Sequence, residues 1–471
     1  MTRRAILQIG TEKTGTTSLQ GFLAANRDRL REKGFIYPRF CGDVNQTGLA
    51  AYAMVPDRME PLRSAFGIHS VADVAPVRQR LEAAADAELE GSETAIFCNE
   101  HCHSRLTSLS EIETLRRFLA RYFDDIRVCI YLRRQDQVAV SLYSTRLKSG
   151  GSGTDILPRT NDSDPYFNYD LSLRLWEACF GQANVTVRLF DRKELADGSV
   201  ISDFLRCWDI GTPEQFGETP HLNESISPRA QDFLRVLNPH LAPIEGLPLD
   251  AVLGPLSGRL AALYPGSGAK PTRSEAEAFY AMYRASNDAV RARYFPERET
   301  LFREDFSSYP ERSQIAGASL EDFGEIAARL QTEATREIRR LEAEVSIRDA
   351  RLLWQRGETE QAIATLRAAR SWLPHHAPVY RVLGEYLLQS ERLQEARKAA
   401  AKAAELGPDN FEYWHFYGVV LRRSDDLHGA RDAQAKALSL NPGHEASRTC
   451  LTNIEAAIAA AETPPPQART A

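Results

Sequence analysis

The feature that most constrains the fold lies at residues 5–20, which read AILQIGTEKTGTTSLQ. The short apolar run at 5–9 predicts a buried strand, and Gly10 ends it. From Thr16 onward, large apolar residues recur at helical spacing, namely Leu19, Phe22, Leu23 and Leu30, and we expect this first helix to stop at Gly34. A strand that is followed by a glycine-flanked loop and then by the start of a helix can bind an anion, because the loop N–H groups and the positive end of the helix dipole point at the same place. The sequence therefore predicts a phosphate-binding loop near its N-terminus.

The register of this loop differs from the G-x-x-x-x-G-K-[ST] pattern of nucleoside-triphosphate P-loops. Gly10, Gly15 and Thr17 fit that pattern, but Thr16 occupies the lysine position and Lys13 lies inside the loop. This arrangement favours a phosphate site for something other than ordinary ATP hydrolysis. A simple strand–helix turn and a different nucleotide site are the alternatives.

A second strand is predicted at residues 94–98 (TAIFC), and the polar residues Glu100 and His101 follow it. In open α/β sheets, ligands bind beyond the carboxyl ends of the strands. A carboxylate or an imidazole at this position can accept a proton from a reacting hydroxyl. The alternative for Glu100 is a cap on the following turn.

A third strand is predicted at residues 127–132, and it runs directly into Arg133. Ser141 lies eight residues further on, two turns into a predicted helix. A guanidinium and a hydroxyl placed in this way can converge on a single anion. The alternative is that Arg133 pairs with a surface carboxylate.

The segment TEKTGTTSLQ resembles the 5′-phosphosulfate-binding loop of sulfotransferases that use 3′-phosphoadenosine 5′-phosphosulfate (PAPS). The resemblance implies that the donor's 5′-phosphate is bound by Lys13, Thr14, Gly15, Thr16, Thr17 and Ser18. It also implies a 3′-phosphate site at Arg133 and Ser141, although Arg134 and Gln135 replace the family's Asn-Pro. Further similarity, including YDLSLRLWEACFG and residues 222–228 and 286–295, extends the resemblance over roughly residues 1–310.

This resemblance implies an α/β fold with a doubly wound, mainly parallel sheet of about five strands and a P-loop-like phosphate-binding loop. The implied activity is transfer of a sulfuryl group from PAPS to an acceptor hydroxyl. We expect this acceptor to be a carbohydrate or another glycan, with a small-molecule alcohol or a lipid-linked sugar as alternatives. Lys13 would stabilise the leaving phosphate, and Glu100, or else His101, would accept the proton. No metal is expected. The rival functions are a nucleotide-dependent kinase with a P-loop and a catalytically inactive repeat scaffold.

A second constraint is an internal repeat of 34 residues in the C-terminal part of the chain. The interval separates Pro374, Pro408 and Pro442, and it also separates Ala362, Ala396 and Ala430. Small residues at helix contacts and a proline near the end of each unit are typical of tetratricopeptide repeats, which form an all-α solenoid. Such arrays mediate binding or self-association more often than catalysis.

The predicted domains follow from these features. They are a sulfotransferase domain at 1–315, a helical connector at 316–346, and three repeats with a capping helix at 347–461. A proline-rich tail at 462–471 is expected to be disordered.

Composition narrows the cellular setting. The net charge of −6 offers no general attraction to nucleic acid, and no apolar run approaches the roughly 20 residues of a membrane span. We therefore expect a cytoplasmic protein. Seven scattered cysteines without a CxxC pair favour reduced thiols. The cluster Cys98, His101, Cys102 and His103 matches no standard zinc spacing.

Overall fold

The computed structural model describes residues 2–91, 93–217, 225–241, 249–312 and 317–462. The chain divides into two compact units, Met1–Ile326 and Ala327–Ala471. The predicted tail from residue 463 onward and part of the segment 222–228 lie outside the described residues.

Unit 1 contains a five-stranded sheet. Its strands are β1 (Arg4–Gln8), β2 (Phe35–Ile36), β3 (Thr94–Cys98), β4 (Asp125–Leu132) and β5 (Val185–Leu189). The spatial order is β2-β3-β1-β4-β5, and each neighbouring pair is parallel. The prediction of a parallel sheet in the N-terminal part of the chain is confirmed.

Helices connect these strands and continue after the last one. They are α1 (Thr16–Ala25), α2 (Arg27–Glu32), α3 (Gly48–Ala53), α4 (Pro61–Ser64), α5 (Val71–Leu89), α6 (His101–Arg105), α7 (Leu109–Leu119), α8 (Gln135–Lys148), α9 (Tyr169–Phe180), α10 (Val200–Cys207), α11 (Pro228–Leu237), α12 (Leu249–Leu263), α13 (Arg273–Ala281) and α14 (Arg284–Tyr294).

Both faces of the sheet are covered, which explains why consecutive apolar residues are buried in the central strands, such as Ala5, Ile6 and Leu7 of β1. On one face, Leu7 of β1 belongs to a cluster that includes Leu115 of α7 and Trp176 of α9. On the other face, Ile6 belongs to a cluster that includes Phe22 of α1 and Phe204 of α10. Alternate residues of β1 thus enter opposite cores, as the two-residue period of a strand requires.

The first helix differs from the sequence prediction, which continued it to Gly34. Helix α1 ends at Ala25, and α2 begins at Arg27. Asn26 between them is buried, its side-chain amide donates to the Phe22 carbonyl at 2.9 Å, and its side-chain oxygen accepts from the Gly217 amide at 2.8 Å. The break is therefore fixed by a distant segment, which local helical periodicity does not reveal.

A long helix, α15 (Leu320–Gln355), contains the division between the two units and covers most of the expected connector. It continues across residues 346 and 347 without a break. The remaining helices of unit 2 are α16 (Thr359–Trp372), α17 (Ala377–Gln389), α18 (Leu393–Leu406), α19 (Phe411–Arg423), α20 (Leu427–Leu440) and α21 (Glu445–Glu462).

Equivalent positions in unit 2 make equivalent contacts every 34 residues. The repeated alanines Ala362, Ala396 and Ala430 are fully buried. The Tyr380 hydroxyl donates to the Pro374 carbonyl at 3.2 Å, and the Trp414 indole N–H donates to the Pro408 carbonyl at 2.8 Å. Each helix pair therefore buries its face against the next pair and is linked to the turn before it.

Candidate functional site

A cavity of about 890 Å³ opens in unit 1 at the carboxyl ends of the central strands. The loop after β1, the residues after β3 and β4, and helix α8 supply most of its wall. The lining residues are Glu12, Lys13, Gly15, Thr16, Thr17, Glu100, His101, Arg133, Gln137, Val140, Ser141, Ser144, Thr145, Lys148, Phe190, Ser225, Ser267, Lys270, Ser308 and Tyr309.

The structure therefore brings together most of the residues predicted from the sequence. Lys13, Gly15, Thr16, Thr17, Glu100, His101, Arg133 and Ser141 all line this one cavity. Thr14 and Ser18 are not among the lining residues. Thr14 is buried, and its hydroxyl donates to the Thr11 carbonyl at 2.6 Å, so it holds the loop in shape.

Backbone conformation gives the loop its curvature. Lys13 has φ of 65° and Gly15 has φ of 77°, both in the left-handed region, and α1 begins at the next residue. A Cβ atom on Gly15 would lie 3.0 Å from Val200 Cγ1 and 3.3 Å from Phe190 Cε2. Glycine is required here for both its conformational freedom and its small size.

Lys13 extends along the wall formed by α8. Its amine donates to the Thr145 hydroxyl at 2.7 Å. Burial lowers the pKa of Lys13, and the neighbouring Glu12 carboxylate opposes that effect. An anion entering the cavity would add a second favourable partner for this partly desolvated charge.

Arg133 reaches the same loop from the end of β4. Its guanidinium donates to the Lys13 carbonyl at 2.8 Å and lies 5.5 Å from the centre of the Phe190 ring. Burial lowers the pKa of Arg133, but an arginine keeps its charge. Arg134 points elsewhere, since it is buried, pairs with Asp136 at 2.8 Å and lies over the Phe306 ring.

Glu100 is held by two side-chain amides. Gln20 donates to one carboxylate oxygen at 2.6 Å, and Asn45 donates to the other at 3.3 Å. Asn45 therefore contacts a lining residue. The adjacent Gln46 instead has a structural role, because it is buried and donates to the Pro38 carbonyl at 2.8 Å.

Glu12 is a lining residue that the sequence analysis did not single out. Its carboxylate accepts from the Tyr166 hydroxyl at 2.9 Å, and His101 Nδ1 lies 3.5 Å from its other oxygen. Burial by itself would raise the pKa of Glu12, but the His101 imidazole and the Ser104 and Tyr166 hydroxyls outweigh it and lower the pKa to about 2. Glu12 is thus ionised at neutral pH.

Lys148 and Lys270 also line the cavity and were not predicted from the sequence. Lys148 lies seven residues after Ser141, two helical turns along the same face of α8, so helical spacing was the available signal. Lys270 comes from a distant segment and donates to the Ser308 carbonyl at 3.0 Å. With Lys13 and Arg133, the cavity wall carries four cations against two carboxylates, an excess that suits a polyanionic ligand.

Within the described ranges, no three His, Cys, Asp or Glu side chains come together in a way that could hold a metal ion. Over the same part of the chain, no helix combines the length and apolarity needed to cross a membrane.

Comparisons with known proteins bear on unit 2. Residues 353–418 match the family model described as tetratricopeptide repeat. Together with the 34-residue helix pairs, this match confirms the prediction that the C-terminal region consists of tetratricopeptide repeats.

A protein of Archaeoglobus fulgidus, described as uncharacterized, is 30% identical to this chain over 218 residues, which are 44% of the chain and 56% of that protein. The chain thus spans about half the length of this relative. Among solved structures, the first tetratricopeptide domain of Spaghetti (RPAP3) with an HSP90 peptide is 16% identical, with a TM-score of 0.25, over 25% of this chain and 94% of that one. The Sgt2 tetratricopeptide domain of Aspergillus fumigatus is 21% identical, with a TM-score of 0.26, over 28% of this chain and 90% of that one.

Proposed function

We propose that unit 1 is a sulfotransferase that transfers a sulfuryl group from PAPS to an acceptor hydroxyl, with a glycan as the acceptor class implied by the family resemblance. The observation that carries the proposal is the meeting of the loop lysine and the strand-end arginine in one cavity. Lys13 and Arg133 come from loops 120 residues apart, yet the Arg133 guanidinium donates to the Lys13 carbonyl at 2.8 Å.

The cavity fits a ligand with two separate phosphate groups. The loop amides, Lys13, Thr16 and Thr17 would bind the 5′-phosphosulfate end, in the manner of a P-loop. Arg133 and Ser141 would bind the 3′-phosphate, which ordinary adenine nucleotides lack. The cavity volume of about 890 Å³ is sufficient for a nucleotide together with part of an acceptor.

The proposed transfer requires no metal ion, since each bond that forms is matched by a bond that breaks. The acceptor oxygen forms a bond to sulfur as the bond from sulfur to the 5′-phosphate oxygen breaks, and adenosine 3′,5′-bisphosphate leaves. Lys13 and the loop amides stabilise the negative charge that develops on the leaving oxygen. The acceptor's proton passes to a side chain in the cavity, either Glu100 or His101.

Unit 2 has a different proposed role. Tetratricopeptide repeats often mediate protein interactions, and the Spaghetti (RPAP3) structure contains a bound peptide. We propose that the repeats of this chain bind a protein partner or a second copy of the chain. The cytoplasmic location expected from the sequence remains part of this proposal.

The decisive experiment is calorimetric titration of the full chain with adenosine 3′,5′-bisphosphate, AMP and ATP in excess EDTA. We expect the bisphosphate to bind at least about tenfold more tightly than AMP, because a charge-assisted contact with the second phosphate adds roughly 1.5–3 kcal/mol. Arg133→Gln should reduce this preference and leave AMP binding nearly unchanged. Metal-dependent ATP binding without a preference for the bisphosphate would instead indicate a kinase.

Turnover is tested separately with radiolabelled PAPS and a library of glycans and small alcohols. Lys13→Ala should lower the transfer rate by about 10²–10³-fold, as is typical when one group that stabilises a developing oxyanion is removed. Lys193→Ala is the matched control, since Lys193 is exposed and does not line the cavity. Tight bisphosphate binding without transfer to any acceptor would favour the inactive scaffold.

A further inference from the structure

We infer that Glu12 and His101 form a proton-accepting pair in which Glu12 positions the imidazole and His101 Nε2 takes the acceptor's proton. The inference rests on the proposed function, and it selects His101 over Glu100. Glu12 acts through His101 and is therefore a positioning residue.

Geometry gives the two ring nitrogens of His101 different surroundings. Nδ1 is shut off from solvent and lies 3.5 Å from Glu12 Oε1, slightly beyond a hydrogen bond. The side chain as a whole is nevertheless 25% exposed and lines the cavity. The accessible edge of the ring is therefore the edge that carries Nε2.

The charge of Glu12 selects the tautomer. A carboxylate beside Nδ1 favours a proton on that nitrogen, which leaves Nε2 with a free electron pair. The same carboxylate stabilises the imidazolium that forms once Nε2 has accepted a proton, as the aspartate does in a catalytic triad. Glu12 stays ionised at neutral pH and therefore performs this role without taking the proton itself.

The surrounding contacts fix Glu12 in place. The Tyr166 hydroxyl donates to its Oε2 at 2.9 Å, and Arg105 Nη1 lies 3.8 Å from its Oε1. Arg105 is held in turn by Glu60 at 2.7 Å. Glu12 adjoins Lys13 in the chain, so the positioning residue and the predicted phosphate ligand belong to one loop.

Glu100 is less suited to the same task. Both of its carboxylate oxygens accept amide hydrogens, from Gln20 and Asn45. Taking up a proton there would compete with those donors, whereas Nε2 of His101 faces no such competition. The arrangement assigns Glu100 the role of a fixed negative charge in the wall.

The test uses the full chain with isotopically labelled histidine, and His101→Gln identifies the His101 signals. In the wild type, we expect the nitrogen NMR chemical shifts of the His101 ring to report a proton on Nδ1 and an unprotonated Nε2. In Glu12→Gln, the preference for a proton on Nδ1 should be lost, because the carboxylate that favours it is removed. Arg105, which lies 3.8 Å from Glu12, and the cavity-lining Lys13 and Glu100 are unchanged in that variant.

Glu60→Gln is the control, since it alters the partner of Arg105 and keeps the carboxylate beside His101. It should leave the tautomer of His101 in place. A proton on Nε2 in the wild type, or an unchanged tautomer in Glu12→Gln, would overturn the pair.

Kinetics supply a second readout. Glu12→Gln should lower kcat at least about tenfold with little change in the KM for PAPS, and it should cause no further loss in a His101→Gln background. Additive losses would overturn the pair. Failure of the wild type to bind adenosine 3′,5′-bisphosphate would instead overturn the proposed function, and the tautomer of His101 is measured without that ligand.

Discussion

At the scale of single residues, His103 makes the stability of unit 1 depend on pH. Its ring is buried and lies 5.4 Å from the Tyr166 ring, and neither of its nitrogens has a hydrogen-bond partner among the described residues. Burial lowers the pKa of His103 from 6.5 to about 4. The folded state thus binds this proton less readily than the unfolded state, and the contribution to stability that is present above pH 6.5 is lost as the pH falls towards 4.

We predict that His103→Phe removes this part of the pH dependence. Between pH 6.5 and 4, the free energy of unfolding of the wild type should fall by on the order of 2–3 kcal/mol more than that of the variant. The phenyl ring has a similar size and no unsatisfied nitrogen, so the variant should be at least as stable as the wild type at pH 7. Urea denaturation at a series of pH values measures both quantities. Parallel curves for the two proteins would contradict the prediction.

Some lining residues were predictable from sequence because they lie at a fixed distance from a recognisable strand end. Lys13, Glu100 and Arg133 belong to this group, and each lines the cavity. Lys270 does not, because only the path of the chain through residues 266–310 brings it to the wall. Glu12 was adjacent to the predicted lysine, but its importance depends on Tyr166, which is 154 residues away.

At the scale of elements, a close approach of helices makes a glycine necessary in the repeats. A Cβ atom on Gly384 of α17 would lie 2.9 Å from Phe416 Cε1 and 3.4 Å from Ala399 Cβ. The Phe416 ring is buried under the Arg381 guanidinium, 3.9 Å from the ring centre, so it cannot move freely. Gly324 of α15 is also helical, but nothing lies within 4 Å of the equivalent position.

We predict opposite effects for alanine at these two helical glycines. Gly324→Ala should stabilise its helix by up to about 1 kcal/mol, the difference in helix propensity. In Gly384→Ala, the cost of overpacking, typically 1–3 kcal/mol, should exceed that gain and lower the denaturation midpoint. Circular dichroism during urea denaturation provides the comparison. Equal stabilisation by both substitutions would show that the helices of the repeats can separate without cost.

Elements with strong local signals were predicted well, and elements set by distant contacts were not. The strand at Thr94–Cys98 has the predicted bounds, since an apolar run between polar residues defines it locally. The break at Asn26 depends on Gly217, far along the chain, and no local pattern marks it. The helix Leu320–Gln355 runs past the expected end of the connector for a different reason: no residue near 346 interrupts its periodicity.

At the scale of the whole molecule, the two units have separate cores and separate candidate roles. All described lining residues of the cavity belong to unit 1, while the repeated alanines and Phe416 belong to a core within unit 2. The 34-residue period and the strand–loop–helix pattern are unrelated signals, so the sequence could predict two kinds of domain in one chain. Net charge could not reveal the cationic cavity, because an overall charge of −6 averages over both units.

Hydrogen exchange on the full chain tests this division of roles. We predict that adenosine 3′,5′-bisphosphate slows amide exchange at residues 10–18 and 133–148, whose backbone and side chains surround the cavity. The degree of slowing should follow the fraction of the protein that has bound the ligand. The helices Ala377–Gln389 and Phe411–Arg423 should exchange at the same rate with and without the ligand, because they contribute no lining residue. Lys13→Ala should reduce the protection at a given ligand concentration, and Lys193→Ala should not. Protection confined to the repeats would place the nucleotide site in unit 2 and remove the physical basis for a sulfuryl-donor cavity at the strand ends.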